Sequence, residues 1–297
     1  MRILVISSFV STIPEEIRYS FVFDEIERLA RRGLKIFVIR SKKDERWFTY
    51  SNRIYFYNMK ENKIFLLNAF KDSIVSARYY PHQFLMKNYF QLLRSYAYAS
   101  FALKMTRNVK LNIVHAHFAY PEGFVGTLVK RALKNPLVIT LHGYDILTEP
   151  DVGYGIRLRK SYDILVKEIL NKSDAIIVAS KAVYKETCGL VKDTGKVYLI
   201  PNAVDVKKFN PDVNLKIIRQ RYGAEDKFIV FTVRHHEPVY GIVYLIMAAK
   251  LVVNYRKDIL FIIGGDGSLK KYHEQLARKL DIKNNVIFTG RIPRVEL

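Results

Sequence analysis

Cysteine is almost absent from this sequence: its 297 residues include a single one, Cys188. One thiol excludes an internal disulfide framework and any metal site built from several cysteines. The composition suits a reducing compartment, so we expect a cytoplasmic protein.

Long apolar runs are missing as well. Nowhere do about 18 uncharged apolar residues follow one another, as a membrane-spanning helix requires. The first residues, MRILVIS, carry one arginine and an apolar stretch too short for a signal peptide, and they read better as a buried strand. Any membrane contact is therefore expected to be peripheral.

Acidic residues are few relative to basic ones, with 28 Asp and Glu against 49 Lys and Arg, for a formal charge of +21. Such an excess indicates nucleic acid, an anionic membrane surface or a phosphorylated substrate as partner. A thermophile's compositional habit is an alternative explanation. Because no RNP-type motif or zinc finger accompanies the charge, we expect no specific nucleic acid partner.

Common catalytic signatures are missing too. The chain has no G-x-S-x-G elbow, and no G-x-G-x-x-G or Walker A pattern. The sequence therefore contains no motif that would support a hydrolase, a dehydrogenase or a kinase.

Short β-branched runs alternate with helical patterns along the whole chain, which predicts an α/β fold with doubly wound parallel sheets. Helices are expected at 18–32, ended by Gly33, and at 122–133. The strands expected in a first domain, residues 1–200, lie at 2–7, 35–40, 53–57, 112–115, 137–141, 175–179 and 197–200.

A second domain, residues 201–297, is expected to begin at Pro201, where prolines and turn formers mark a linker. Its pattern predicts strands at 228–233, 259–263 and 286–289, and helices at 241–254 and 268–280. A doubly wound domain normally has five or six strands, so this second sheet is expected to be incomplete.

Aromatic and basic residues interleave in the segment 71–107, which predicts two helices. Rings beside lysine and arginine suit the headgroup layer of an anionic membrane. An amphipathic helical pair whose aromatic face forms domain core is the alternative.

Histidines follow two consecutive first-domain strands. His115 and His117 end one strand, and His142 follows the next, with Gly143 and Asp145 just beyond. The carboxyl ends of parallel strands line the ligand crevice, so these imidazoles should lie close together. A metal set of His115, His117, His142 and Asp145 is the alternative use of the same residues.

The second domain places Arg234 directly after a strand, and Gly241 opens the following helix. A guanidinium beside a helix N-terminus suits a diphosphate. The turn Gly264-Gly-Asp-Gly267 repeats the arrangement one unit later, and an ordinary strand-to-helix turn explains it equally well.

An ordered set of motifs carries a family resemblance. The chain resembles the GT-B glycosyltransferases of retaining family 4, also called glycosyl transferases group 1, in an archaeal-like form. The matching pieces are NIVHAHFAYPEG at 112–123, VITLHGYD at 138–145, SDAIIVAS at 173–180, VYLIPNAVD at 197–205, 228–241, 264–267 and VIFTGRIP at 286–293.

The resemblance implies two Rossmann-like domains that face a cleft. The second would hold a nucleotide-diphosphate sugar and the first an acceptor, a glycan or lipid-linked molecule, with retention at the anomeric carbon. No cofactor or bound metal would be needed, because basic side chains and helix ends neutralise the leaving diphosphate.

The resemblance also assigns residue roles. His117 and His142 would approach the donor sugar, and Arg234 would bind the diphosphate. The other donor-binding positions implied are Gly143, Asp145, Gly241, Gly264 and Gly265. Asn202 and Asp205 would lie at the domain junction.

Two departures from the family pattern bear on activity. The lysine that the family has just before the helix-opening glycine is missing, since the sequence reads Pro238-Val-Tyr-Gly241. The chain also ends before the family's paired-glutamate motif. We therefore expect weak or absent transfer from this chain alone, and a non-catalytic acceptor- or membrane-binding partner subunit is the alternative function.

Overall fold

The computed structural model describes residues 1–8, 10, 20–40, 47–59, 79–82, 89–207, 209–212 and 214–293. The chain divides into two compact units, Met1–Asn202 and Ala203–Leu297, which we call unit 1 and unit 2. Within the described ranges, no helix combines the length and apolar composition that a bilayer crossing requires.

Unit 1 is built on one eight-stranded sheet. Its strands are β1 (Arg2–Ile6), β2 (Lys35–Arg40), β3 (Trp47–Ser51), β4 (Ile54–Asn58), β5 (Ile113–His117), β6 (Leu137–Leu141), β7 (Ala175–Val178) and β8 (Val197–Leu199). They lie in the order β3-β4-β2-β1-β5-β6-β7-β8, and every neighbouring pair is parallel except β3 and β4. The order reverses direction at β1 and β5, which makes the carboxyl ends of these two strands the topological switch point.

Helices cover this sheet: α1 (Ser20–Arg31), α2 (Tyr89–Thr106), α3 (Phe124–Leu133), α4 (Lys160–Lys172) and α5 (Lys181–Cys188). Two separate apolar clusters show that the sheet is covered on both faces. One includes Val5 of β1 with Val22 and Ile26 of α1, and the other packs Leu4 of β1 with residues of α2, α3 and α4. The predicted doubly wound α/β class is confirmed, and β3 is an antiparallel edge strand that the prediction missed.

Unit 2 contains a three-stranded parallel sheet in the order β11-β10-β9. The strands are β9 (Phe228–Val233), β10 (Ile259–Gly264) and β11 (Val286–Gly290). The helices are α6 (Lys216–Arg221), α7 (Ile242–Tyr255) and α8 (Lys270–Lys279). Buried Ile242, Ile246 and Ala249 lie on one face of α7, because residues three and four apart share a helix face. The described residues of unit 2 therefore form the short sheet that the sequence predicts.

The aromatic segment 71–107 is only partly described, since 71–78 and 83–88 lie outside the described residues. Its described helix is α2. Tyr96, Tyr98 and Phe101 of α2 are buried in the core of unit 1, and the Tyr98 hydroxyl donates a hydrogen bond of 2.6 Å to the Ile39 carbonyl. For these rings the membrane-face interpretation is wrong and the core alternative is correct.

Candidate active site

The two predicted histidine positions meet because β5 and β6 are neighbouring parallel strands. His117 is in register with Thr140, so His142 emerges beside it one step beyond β6. Nδ1 of His117 lies 3.1 Å from Nε2 of His142, and the two rings stack with their centroids 5.4 Å apart. The structure thus brings these imidazoles into direct contact.

The two histidines differ in how far they are buried. His117 is fully buried, whereas His142 is half-buried between the rings of Phe21 and Phe118, at centroid distances of 4.8 and 4.5 Å. Burial, with a smaller contribution from the neighbouring His115, lowers the pKa of His142 to about 3. Both effects keep the imidazole neutral at physiological pH. A molecule arriving from solvent meets His142, and His117 lies behind it.

Asp145 fastens the loops that follow β5 and β6. Its Oδ2 accepts a hydrogen bond of 2.9 Å from the Ala119 amide, and Oδ1 accepts from the amides of His142 and Gly143 at 3.1 and 3.0 Å. Burial raises its pKa to about 6 against the opposing effect of these amides. Because these bonds all go to backbone, they shape the loops and do not orient an imidazole.

A pocket of about 550 Å³ opens in unit 1 at the switch point. Its wall includes Ser8 beyond β1 and Phe118 beyond β5, so the pocket lies at the carboxyl ends of the two strands where the order reverses. Phe118 has a φ of 78°, a left-handed conformation that costs a non-glycine residue on the order of 1 kcal/mol or more. This residue forms part of the pocket wall, and its ring also contacts the ring of His142 at a tilt of 51°.

Charged and hydroxyl-bearing side chains line the same pocket. They were not among the predicted site residues: Glu122, Arg94 and Arg159, together with Tyr98, Tyr120, Tyr144 and Tyr162. The one local signal for Glu122 is its position just beyond the His115–His117 strand. Arg94 and Arg159 are far from the motifs in sequence, so no spacing could have revealed them.

Glu122 is the buried acid of the pocket. Its Oε1 accepts a hydrogen bond of 3.2 Å from the Ser8 amide, and burial raises its pKa to about 7. A carboxyl group with that pKa exchanges protons readily at neutral pH. Glu122 can therefore give or accept a hydrogen bond to a hydroxyl group bound in the pocket.

The loops that follow β9 and β10 in unit 2 lie backbone to backbone. The Arg234 amide donates to the Gly264 carbonyl at 3.0 Å, and a Cβ added to Gly265 would lie 1.9 Å from the Arg234 carbonyl oxygen. Gly265 also has a φ of 122°, so only glycine fits there. The Arg234 side chain is exposed beside these glycines.

Gly241 caps the N-terminus of α7 with a φ of 64°. Amides of a first helical turn have no partner within their own helix, so this end of α7 can bind an anion. Of the two histidines in the preceding loop, His235 is exposed and His236 is fully buried, with Nδ1 3.0 Å from Nδ1 of His273. His236 is thus a core residue of unit 2.

The boundary between the two units falls next to Asn202. Close by, Asp205 accepts a hydrogen bond of 3.0 Å at Oδ1 from the Lys207 amide, and its carbonyl accepts one of 2.8 Å from the Phe209 amide. These bonds form a local turn.

Family models match nearly the whole chain in two parts. Glycosyltransferase Family 4 matches residues 20–208, and Glycosyl transferases group 1 matches residues 214–297. The class defined by this fold and these matches is that of the GT-B glycosyltransferases. The chain belongs to Glycosyltransferase Family 4.

Two curated relatives illustrate the similarity. The alpha-monoglucosyldiacylglycerol synthase of Streptococcus pneumoniae is 27% identical, over 67% of this chain and 47% of the relative. The UDP-Gal:alpha-D-GlcNAc-diphosphoundecaprenol alpha-1,3-galactosyltransferase of Escherichia coli is 30% identical, over 63% of this chain and 49% of the relative. The chain spans about half the length of these curated relatives.

Solved structures share the fold at low identity. Sucrose-phosphate synthase from Thermosynechococcus elongatus is similar with a TM-score of 0.71 at 15% identity, covering 100% of this chain and 72% of that one. Anabaena HepE in complex with UDP is similar with a TM-score of 0.65 at 15% identity, covering 99% of this chain and 70% of that one. These likenesses support the GT-B fold.

Proposed function

We propose that this chain transfers a sugar from a nucleotide-diphosphate donor to a lipid-linked or cell-surface glycan acceptor, with retention at the anomeric carbon. The observation that carries the proposal is the unit 1 pocket at the switch point of a family 4 chain, with the His142 ring in tilted contact with Phe118 of its wall. Names of two relatives, one an alpha-monoglucosyldiacylglycerol synthase and one a galactosyltransferase whose name includes a diphosphoundecaprenol, support a lipid-linked acceptor.

In this proposal unit 1 receives the acceptor. Glu122, with a pKa near neutrality, exchanges a hydrogen bond with the acceptor hydroxyl that attacks the sugar. Arg94 and Arg159 add positive charge to the same pocket, which suits an acceptor that carries phosphate. Association with an anionic membrane surface, as the source of such an acceptor, belongs to the same proposal.

Unit 2 holds the donor in this proposal. Arg234 and the N-terminus of α7 neutralise the diphosphate as it leaves, so no metal ion is required at that step. His142 contacts the donor sugar through its neutral imidazole, and His117 acts as a positioning residue behind it. Gly264 and Gly265 keep the backbone close to Arg234.

The proposal is tested in two stages with the purified chain. UDP affinity is measured by calorimetry for the parent, for Arg234→Ala and for Arg256→Ala, an exposed arginine of unit 2 paired with Asp258. We expect Arg234→Ala to weaken binding about 10- to 100-fold, since it removes a charge-assisted contact of about 1.5 to 3 kcal/mol, and Arg256→Ala to leave it unchanged.

The second stage follows transfer from labelled nucleotide sugars to membrane lipid extracts, over incubations long enough to detect the weak transfer expected of this chain alone. His142→Ala is expected to lose transfer on the order of 100-fold while UDP affinity is kept, and NMR of the product is expected to show a retained anomer. Equal UDP binding by both arginine variants would refute the donor site. Transfer that survives His142→Ala, or an inverted product, would refute the mechanism.

A further inference from the structure

Three side chains that could bind a metal ion lie close together on the side of β5 that faces α1. His115 and His117 are two residues apart on β5, so both side chains leave the same face of the sheet. That face is covered by α1, which carries Glu25. Glu25, His115 and His117 each offer one ligand atom, and these three atoms all lie within 4.8 Å of one another. Nδ1 of His115 lies 3.8 Å from Oε1 of Glu25.

The other nitrogen of each imidazole is already engaged. Nε2 of His115 lies 2.7 Å from the Thr140 hydroxyl, and Nδ1 of His117 lies 3.1 Å from Nε2 of His142. Metal-binding histidines in proteins are usually held in this way, by a hydrogen bond at the nitrogen that does not bind the metal. Nδ1 of His115 and Nε2 of His117 are the atoms left to bind a ligand.

Nε2 of His117 is the decisive atom. It is fully buried and has no hydrogen-bond partner among the described residues. Leaving a buried polar atom unsatisfied costs roughly 1 to 3 kcal/mol. A cation bound between His117, His115 and Glu25 would satisfy this nitrogen without breaking any bond described above.

The protonation states favour such a cation. Burial lowers the pKa of His115 to about 4 and that of His117 well below its ordinary value, so both imidazoles are neutral, the form that binds metal. Burial raises the pKa of Glu25 to about 7. A bound cation would favour the ionised carboxylate and offset that burial.

We propose that Glu25, His115 and His117 form a binding site for a divalent transition-metal ion, of which Zn²⁺ fits best. Two imidazoles and one carboxylate form a known zinc-binding set, and nitrogen ligands disfavour Ca²⁺ and Mg²⁺. Bonds of about 2.0 to 2.2 Å require the ligand atoms to come closer together. The half-exposed Glu25 side chain can move towards the two imidazoles, whose rings would turn to complete the adjustment, and it also provides an entry path for the ion.

The ion would have a positioning role. With Nε2 of His117 bound to the metal, Nδ1 carries the proton and donates to Nε2 of His142. This hydrogen bond from His117 would fix the tautomer and the ring orientation of His142. The ion would lie behind His142 and would not contact the leaving diphosphate, and its binding does not depend on the proposed function.

Zn²⁺ binding to the tag-free, chelator-treated chain is measured by calorimetry and by thermal unfolding. We expect the chain to bind one equivalent of Zn²⁺ tightly and to have a higher melting temperature with Zn²⁺ than without it. Glu25→Gln should abolish the tight equivalent. Thr140→Val removes only the hydroxyl that holds His115, and it should weaken binding about 10- to 100-fold, as the loss of an outer partner does.

His82→Gln is the matched control, because His82 also pairs with a glutamate, Glu168, but lies at an exposed position away from the cluster. It should bind Zn²⁺ as the parent does. The proposal is overturned if the parent shows no tight equivalent, or if both Glu25→Gln and Thr140→Val keep the parental affinity. Circular dichroism of each variant establishes that it is folded before titration.

Discussion

At the scale of single residues, Glu122 links the pocket to the stability of unit 1. Its pKa in the folded chain is about 7, against an ordinary value of 4.5, because burial disfavours the charged form. An acid with a raised pKa binds more protons when folded, so stability falls as the pH rises from about 4.5 to 7. For a change of this size the loss is roughly 3 kcal/mol.

Glu122→Gln removes this titration while keeping the shape of the protonated side chain. We therefore expect the variant to gain stability relative to the parent, by up to about 3 kcal/mol, between pH 5 and pH 8. Urea unfolding of both proteins across that range measures the difference. Glu149→Gln, on an exposed side chain, is the control and should show a constant difference. A constant difference for Glu122→Gln as well would mean that its carboxyl group is not buried in solution.

The site residues also show which properties can be predicted from the sequence and which cannot. The contact between His117 and His142 could be predicted, because the end of one parallel strand lies beside the end of the next. The different exposure of the two rings could not, since it depends on Phe21 and Phe118 closing over His142. Asp145 could be placed near the site, but its bonds to backbone amides depend on the fold of two loops.

At the scale of elements, α7 carries two apolar stripes. Ile242, Ile246 and Ala249 form the buried stripe of the unit 2 core, whereas Met247 and Leu251 are more than half exposed. The two stripes are similar in composition and differ only in what covers them. The buried stripe should therefore account for most of the contribution of α7 to stability.

Ile246→Ala and Leu251→Ala test this difference on one helix. We expect Ile246→Ala to cost about 2 to 5 kcal/mol, because it opens a cavity in a packed core, and Leu251→Ala to cost about 0.5 kcal/mol or less. Hydrogen exchange of the β10 amides reports the local stability of unit 2. Similar losses in the two variants would show that the exposed stripe of α7 is covered in solution.

The bounds of several strands were predicted better than the pairing and packing of the elements around them. The strands Lys35–Arg40, Leu137–Leu141 and Phe228–Val233 were predicted at their observed bounds, because continuous apolar runs are typical of buried parallel strands. The edge strand Trp47–Ser51 was missed, since its pairing depends on the turn to β4. The rings of α2 were ambiguous because a core face and a membrane face have the same composition.

At the scale of the whole molecule, the charge of +21 is the dominant feature. Charge without a base-reading motif predicts binding to any polyanion through counterion release. We expect affinity for a DNA duplex to fall on the order of 1000-fold between 50 and 200 mM salt if about six phosphates are contacted.

Fluorescence anisotropy with two duplexes of unrelated sequence measures this dependence. Both duplexes should bind alike at every salt concentration, and UDP should compete only at a shared site. A preference for one duplex that persists at high salt would contradict the prediction and assign a base-reading surface to the chain.

The sequence by itself determined the α/β class, the strand-end positions of the histidines and the family, because strand periodicity, the alternation of strands with helices and ordered motifs are read directly along the chain. Only the tertiary structure decided which groups are buried together. Glu25 reaches His115 and His117 because α1 covers the sheet face from which these histidines project, and Glu122 meets Ser8 because β1 pairs with β5. Desolvation in those contacts sets the charge of each group, and desolvation depends on distant segments of the chain.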